Sequence, residues 1–231
     1  MSFKDIFNID AEVKESAHAR VNLIGEHTDY TGGYVMPTLL SFKNTIEISQ
    51  NNSNEFTVYS QHFKEKKTFN DFKKSINNEW VDYIKGCLHI FFDENKISSR
   101  FLNIFISSDI PLERGISSSS ALCVATLKAL NTFFETKIKD PEIAKLAKKV
   151  EFNYIGVSGG IMDQMVSSIG IHGKAFFMNC KNLEYELINF PENWKFCLID
   201  SEVQRNLRDS SYNKRFAELQ EAEKKLGVEY L

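Results

Sequence analysis

The chain has 231 residues, of which 42% are hydrophobic and 13% aromatic. This length suits one large domain or two small ones, and the composition is that of a globular protein with a substantial core. The 28 basic residues nearly balance the 31 acidic ones, which excludes nucleic acid or a membrane surface as a bulk electrostatic partner. The four cysteines lie far apart and form no CxxC pair. This argues against a zinc knuckle or a redox couple and predicts a packing role for them.

No stretch of the sequence combines the length and apolarity of a signal peptide or of a membrane-spanning helix. We therefore expect a soluble, cytoplasmic protein.

The first third of the chain carries β patterns. Residues 17–25 and 33–40 are predicted as strands around a turn rich in glycine, and residues 45–48 and 55–59 continue the pattern. An early sheet is expected.

The middle of the chain mixes helical and strand patterns. Residues 81–92 place apolar side chains at helical spacing, and residues 101–106 alternate as a strand does. A serine-rich loop at 111–121 then opens a second helix. Asp140 and Pro141 predict the start of a third, with the aspartate as its cap.

In the last third, a turn at 158–160 leads into a short helix from Met162. Residues 175–178 and 195–199 are strand candidates, and residues 212–225 are predicted as a charged final helix. The predicted pattern is therefore mixed α and β, with no regular βαβ alternation.

A turn near the N-terminus gathers polar side chains: Glu26, His27, Asp29 and Tyr30. Buried polar groups need partners, so this cluster is expected either to pair internally or to face a hydroxyl-rich ligand. The loop at 111–121, PLERGISSSSA, joins a strand to an apolar helix. Its small residues and the helix N-terminus suit a phosphate group, although a helix cap with a flexible lead-in is the alternative.

These two segments, together with GGIMDQ at 159–164, resemble the motifs of the galactokinases, which belong to a wider family with homoserine, mevalonate and phosphomevalonate kinases. The resemblance implies an α+β, two-lobe kinase fold. It places a ribosomal-protein-S5-like N-terminal lobe at 1–190 and the beginning of a ferredoxin-like C-terminal lobe at 191–231. Family members are considerably longer than 231 residues. They carry a further glycine-rich motif, of the GGGxGG kind, in the C-terminal lobe, and this sequence contains no such string. The chain is therefore expected to lack most of the C-terminal lobe.

The resemblance also implies a role for individual residues. Asp163 corresponds to the catalytic base, and Arg20 to its cationic partner, although a helix-capping aspartate and an arginine in a structural ion pair are the alternatives. The residues implied to bind the sugar are Glu26, His27, Thr28, Asp29, Gly160, Asp163 and Tyr212. Those implied to bind ATP are Glu113, Arg114, Gly115, Ile116, Ser117, Ser118 and Ser119. Ser119 and Glu151 correspond to the ligands of Mg²⁺, a cation that takes oxygen ligands; an exposed helix glutamate is the alternative for Glu151.

The sequence departs from the family pattern in places. Glu113 replaces the first glycine of the phosphate-loop motif PxGxGLSSSA, which adds a Cβ and a carboxylate near the phosphates and is expected to weaken ATP binding. Residues 17–19 read AHA where the family has APG. Ser211 replaces a glutamate beside Tyr212.

The activity implied is transfer of the γ-phosphoryl group of ATP to the C1 hydroxyl of α-D-galactose, with galactose and ATP as partners. The sequence does not specify the oligomeric state, and a monomer is expected if the protein is complete. Two alternatives remain open: a kinase for a related sugar such as N-acetylgalactosamine, and a catalytically silent regulator that binds galactose and ATP.

Overall fold

The computed structural model describes residues 1–72, 79–111, 114–200, 202 and 210–228, with side chains for all of these except 210–213. The helices are α1 (Phe3–Phe7), α2 (Val81–Asn95), α3 (Ser118–Phe133), α4 (Asp140–Lys149), α5 (Met162–Ile169) and α6 (Ser210–Leu226), and a π-helical segment (Val150–Ile155) continues α4. The strands are β1 (Val13–Asn22), β2 (Tyr34–Val35), β3 (Pro37–Gln50), β4 (Phe56–Ser60), β5 (Glu65–Phe69), β6 (Leu102–Ser108), β7 (Lys174–Asn179) and β8 (Tyr185–Asn189).

The strands of the described residues form one mixed sheet. The long strand β3 pairs antiparallel with β1 on one side and with β6 and β7 on the other. Strand β4 lies between β6, to which it is parallel, and β5, to which it is antiparallel. Strand β7 is flanked by β2 and β8 near the other end. Strands β1 and β3 therefore lie beneath α3, the helix that follows the serine loop.

The main core lies between this sheet and α2, α3 and α4. Because side chains alternate along a strand, Ile104 and Ile106 of β6 enter this core, whereas Phe105 between them points to the opposite face and packs with Phe3 of α1. A second cluster joins α5 to β2 and β7. Both ends of α5 are thus fixed by packing, which positions the residues of the GGIMDQ segment.

Most of the predicted elements are confirmed, and the α+β class is confirmed with them. The helices predicted at 81–92, after the serine loop, from Met162 and at 212–225 all form, as do the early strands and those at 101–106 and 175–178. The expected strand at 33–40 is broken into β2 and the start of β3 at Pro37. The sequence did not predict helix α1, nor strands β5 and β8, which lie at sheet edges.

Two predictions are wrong. Residues 195–199 form no strand, since no strand of the described residues pairs with them and their apolar side chains are exposed. Asp140 is the first helical residue and not the cap: Lys139 occupies the cap position, and no side chain bonds to the helix end there.

Cys87 and Cys123 are fully buried in the main core and Cys180 packs against the second cluster, as the predicted packing role requires. The prediction is wrong for Cys197, which is exposed, and all four cysteines are free. None of the helices in the described part of the chain has the length and apolarity needed to span a membrane. The division at residue 190 stays a prediction.

Candidate active site

Arg20 and Asp163, which are 143 residues apart in the sequence, form an ion pair at the centre of the candidate site. The guanidinium Nε lies 2.6 Å from Asp163 Oδ1, and both side chains are largely buried. The same guanidinium donates through Nη1 to the carbonyl of Gly115 at 3.1 Å, and the backbone N–H of Arg20 donates to the carbonyl of Ile116 at 3.2 Å. Strand β1, the serine loop and helix α5 therefore meet at one arginine.

A bulge in β1 directs Arg20 toward the loop. The register with β3 shifts between His18 and Arg20, and such a bulge bends the strand and re-aims the side chain that follows. Ala19 is fully buried in a small cluster with Ala121 of α3, so its short side chain lets the helix approach. His18, which like Ala19 departs from the family's APG, donates through Nδ1 to the carbonyl of Leu40 at 3.1 Å. Burial lowers the pKa of His18, and a neighbouring histidine lowers it further.

Asp163 lies in the first turn of α5, where the partial positive charge of the helix N-terminus favours a carboxylate. Its second oxygen, Oδ2, accepts a hydrogen bond from the hydroxyl of Ser117. Ser117 has a left-handed backbone with φ of 63°, a conformation that costs free energy in residues other than glycine and is concentrated at functional sites. Both oxygens of the candidate base are thus oriented by the protein.

Charge coupling extends from this pair to the polar turn. Burial alone lowers the pKa of the Arg20 guanidinium, but the attraction and hydrogen bond of Asp163 outweigh it, so the net shift is upward. Burial, followed by repulsion from Asp163, raises the pKa of Asp29 to about 6, against the attraction of Arg20. A carboxyl group whose charged form is destabilised by burial and repulsion in this way is typical of a functional site.

The residues of the polar turn make different contacts. Glu26 accepts a hydrogen bond from Asn22 at 3.1 Å, and its charge acts on Arg20. His27 has a left-handed backbone, with φ of 67°, and its ring Nδ1 shares a hydrogen bond with the hydroxyl of Tyr30. The turn is therefore partly paired internally, while its acidic side chains face the ion pair.

Two small features fix the shape of this turn. The hydroxyl of Thr28 lies 2.8 Å from the carbonyl of Gly25 and 2.7 Å from that of Tyr34, so the side chain closes the loop, and its predicted contact with sugar stays a prediction. Gly160 lies against Asp29, because a Cβ at position 160 would come within 2.6 Å of the Asp29 backbone. The GGIMDQ segment and the polar turn are in direct contact through a position that only glycine fits.

Ser119 and Glu151, the two residues matched to magnesium ligands, also contact each other: the Ser119 hydroxyl donates to Glu151 Oε1 at 2.7 Å. Glu151 lies buried in the π-helical segment and is not the exposed helix glutamate of the alternative reading. Burial raises its pKa, and hydrogen bonds from Ser119, Ser120 and Gln164 oppose that rise. Within the described ranges, no three or more His, Cys, Asp or Glu side chains are grouped to hold a metal ion.

The remaining predicted residues are spread around the loop. Arg114 is half exposed and pairs with Asp200 at 3.0 Å. Ser118 is the first residue of α3, and its carbonyl accepts from the side chain of Asn44 at 2.9 Å. Glu113 lies outside the described residues, so the expected weakening of ATP binding is untested. Tyr212 belongs to α6, but its side chain is not among those described.

Sequence reasoning missed Ser120 and Gln164, which both donate to Glu151. Ser120 carried a usable signal, since the family motif PxGxGLSSSA has alanine at that position. The sequence also gave no indication of a cleft of about 390 Å³ beside the site. Its lining includes Asp29, Tyr30, Phe152 and Gly159.

Comparison with known proteins places both halves of this site in matched segments. A family described as the GHMP kinases N terminal domain matches residues 82–170, which contain the serine loop, Glu151 and Asp163. A second, described as the galactokinase galactose-binding signature, matches residues 1–50, which contain Arg20 and the polar turn.

Individual proteins are also similar to this chain in sequence and in fold. The galactokinase of Thermotoga petrophila is 36% identical over 216 residues, 93% of this chain and 60% of the relative. The crystal structure of Lactococcus lactis galactokinase complexed with galactose has a TM-score of 0.85 at 30% identity, over 97% of this chain and 60% of that one. The mevalonate kinase of Methanococcus jannaschii has a TM-score of 0.66 at 23% identity, over 78% of this chain and 56% of that one, which shows the fold alone. This chain thus spans about 60% of the length of the galactokinases it matches.

Proposed function

The chain belongs to the GHMP kinase family, and on that premise we propose that it is a galactokinase, which transfers the γ-phosphoryl group of ATP to the C1 hydroxyl of α-D-galactose and yields galactose 1-phosphate and ADP. The observation that carries the proposal is the Arg20–Asp163 ion pair. It lies between the acidic turn within the galactose-binding signature and the serine loop of the kinase domain.

The polar turn is proposed to bind the sugar. Carboxylates accept hydrogen bonds from sugar hydroxyls, and an imidazole can donate or accept, so Glu26, His27 and Asp29 suit an uncharged polyol. Gly160 lets the backbone of the GGIMDQ segment approach the same ligand, and Tyr212 is assigned to the sugar by resemblance. Asp29 supports this assignment, because burial holds its pKa near 6 and a hydroxyl donor would stabilise its charged form.

Asp163 is proposed to be the general base. It accepts the proton of the C1 hydroxyl as the bond from that oxygen to the γ-phosphorus forms and the bond from the phosphorus to the bridging oxygen of ADP breaks. Arg20 fixes the carboxylate through Nε, and its delocalised positive charge stabilises the negative charge on the transferred group. The shared contacts with Gly115 and Ile116 hold the base beside the phosphate loop.

The loop from Arg114 to Ser119 is proposed to bind the phosphates of ATP. It ends at the N-terminus of α3, where free backbone N–H groups and the helix dipole favour an anion. Glu113 precedes it, and its effect on ATP affinity stays a prediction.

The donor set at Ser119 and Glu151 fits Mg²⁺. It consists of one carboxylate and one hydroxyl, and Mg²⁺ prefers oxygen ligands and usually takes only one or two from protein, with waters and substrate phosphates supplying the rest. When bound, the cation would neutralise charge on the phosphates. We propose that Ser119 and Glu151 are its protein ligands.

A kinase for a related sugar is the second candidate, and one feature favours it. The cleft of about 390 Å³ adjoins Asp29 and Gly159, both next to the proposed sugar site, and offers room for a substituent such as the acetamido group of N-acetylgalactosamine.

The proposal is tested by incubating the chain with ATP and a panel of free sugars, measuring ADP, and identifying the sugar phosphate by ³¹P NMR. We expect galactose to be phosphorylated. Asp163→Asn keeps the side-chain shape but removes the proton acceptor, so turnover should fall by roughly 10²-fold or more, with galactose affinity by calorimetry changed much less.

A matched control is Asp140→Asn, which also alters an aspartate in the first turn of a helix but lies outside the site and should leave turnover at the parental level. Near-parental turnover by Asp163→Asn would exclude the base mechanism. A parent chain that binds galactose and ATP without forming ADP would favour the silent regulator, and one that prefers N-acetylgalactosamine would favour the second candidate.

A further inference from the structure

The carboxylate of Glu151 is held asymmetrically. Its Oε1 accepts one hydrogen bond, from Ser119 at 2.7 Å. Its Oε2 accepts two, from the hydroxyl of Ser120 at 2.8 Å and from the side-chain amide of Gln164. One oxygen of a buried carboxylate is thus fixed by two donors, while the other, within the described part of the chain, accepts only from Ser119, the second residue of α3.

Ser120 is a feature of this chain that the motif it resembles does not contain. The motif PxGxGLSSSA has alanine where Ser120 stands. The residue is only 3% exposed, and a buried hydroxyl is destabilising unless it is hydrogen-bonded. Its 2.8 Å bond to Glu151 satisfies it, so the extra serine acts on this carboxylate.

Gln164 approaches the same oxygen from α5. A carboxylate only accepts hydrogen bonds, so the amide nitrogen of Gln164 must face Glu151. Its carbonyl oxygen then points away and, among the described residues, has no hydrogen-bond partner although it is buried. Leaving a buried acceptor unpaired is unfavourable. The hydrogen bond to Glu151 therefore determines the orientation of the Gln164 amide.

We propose that Ser120 and Gln164 are positioning residues that anchor Oε2 of Glu151 and so present Oε1, beside Ser119, to the divalent cation. The inference rests on the proposed function, in which Ser119 and Glu151 are the cation ligands. Outer hydrogen bonds of this kind orient ligating carboxylates, and their loss weakens metal binding. Since Gln164 follows Asp163 on α5, one short helix carries both the base and an anchor of the metal ligand.

A double-mutant cycle tests the contact without any metal. Urea unfolding is measured for the parent, Ser120→Ala, Glu151→Gln and the double variant. If Ser120 acts through the carboxylate, the loss caused by Ser120→Ala shrinks when Glu151 is already neutral, so the two effects are not additive. Additive effects overturn the proposal.

The positioning role is tested with Mn²⁺ in place of Mg²⁺, by titrating its EPR signal with the protein in the presence of ATP. Ser120→Ala and Gln164→Ala should each weaken Mn²⁺ binding by about tenfold or more, and Ser120→Ala should have no effect in a Glu151→Gln background. The control is Ser168→Ala, which removes a buried serine of α5 whose hydroxyl donates to the carbonyl of Asp140 at 2.8 Å. It should cost stability but leave Mn²⁺ affinity unchanged.

The outcomes separate this inference from the proposed function. Parental Mn²⁺ affinity in Ser120→Ala and Gln164→Ala overturns the positioning role alone. If the parent chain binds no Mn²⁺ in the presence of ATP, both the metal assignment and the positioning role are overturned. Measurements of galactose binding and turnover test the kinase proposal independently.

Discussion

At position 29 the protein keeps a carboxylate where folding favours a neutral group. Burial and the nearby charge of Asp163 raise the pKa of Asp29 to about 6. A group whose folded pKa lies above its ordinary value of 3.8 binds its proton more tightly in the folded protein. The free energy of unfolding therefore falls as pH rises from about 4 to 6 and stays lower at higher pH.

We predict that Asp29→Asn stabilises the protein at pH 8 and not at pH 4. The amide keeps the shape but removes the buried charge, so the gain is about 3 kcal/mol at pH 8, as expected for a shift of about two pKa units at about 1.4 kcal/mol each. Urea unfolding at pH 4, 6 and 8 measures it.

The proposed sugar site predicts that galactose raises the Tm of the parent and that Asp29→Asn loses this rise, because an amide is a poorer hydroxyl acceptor than a carboxylate. A variant that is less stable than the parent at pH 8 would contradict the burial cost assigned to Asp29.

Sequence alone predicted the partners of the central ion pair but not Ser120 and Gln164, which hold the proposed metal ligand Glu151. Arg20 and Asp163 were found because each lies in a recognisable motif, and the structure brings them within 2.6 Å. Gln164 lies in the same motif, but its role depends on the π-helical segment that turns Glu151 inward. No periodicity in the sequence distinguishes that segment from ordinary helix.

The segment that leads into α5 lies directly against the polar turn. A Cβ at position 160 would overlap Asp29, and Gly160 has an ordinary backbone with no positive φ, so space alone requires glycine there. The turn at 25–33 must therefore shift if position 160 gains a side chain.

We predict that Gly160→Ala weakens galactose binding by at least tenfold and destabilises the fold by roughly 1–3 kcal/mol, the usual cost of overpacking. Calorimetry and urea unfolding measure the two effects. Gly173→Ala is the control: position 173 has φ of 78° and nothing within 4 Å of an added Cβ, so the change strains the backbone but leaves sugar affinity intact. Equal galactose affinity in both variants would show that the turn is free to move.

A strong local pattern led to a correct prediction where the element has a buried face. The apolar face of α3 packs on the sheet, and β6 lies within the sheet with alternate side chains in the main core. Residues 195–199 have comparable β propensity, but strands are stabilised by cross-strand pairs, and none of the described strands lies beside them. The local pattern indicated the β propensity of these residues, but it carries no information on whether another strand lies beside them.

On the scale of the whole molecule, the segment that follows β8 leaves a patch of apolar surface. Trp194, Phe196, Leu198 and Ile199 are 62%, 49%, 48% and 87% exposed, and the ring of Phe196 lies 4.7 Å from that of Phe190. Contiguous exposed apolar surface of this kind marks an interaction site or an aggregation liability.

We predict that the chain associates with itself in a concentration-dependent way through this patch, since burying it removes apolar area from water. The double variant Leu198→Ser, Ile199→Ser should shift sedimentation toward the monomer, with the free energy of unfolding changed by no more than about 0.5 kcal/mol, as for other exposed positions. Ile171→Ser, at a residue 48% exposed outside the patch, should leave the sedimentation behaviour as in the parent. A parent chain that remains monomeric across the concentration range would show that these side chains do not drive association.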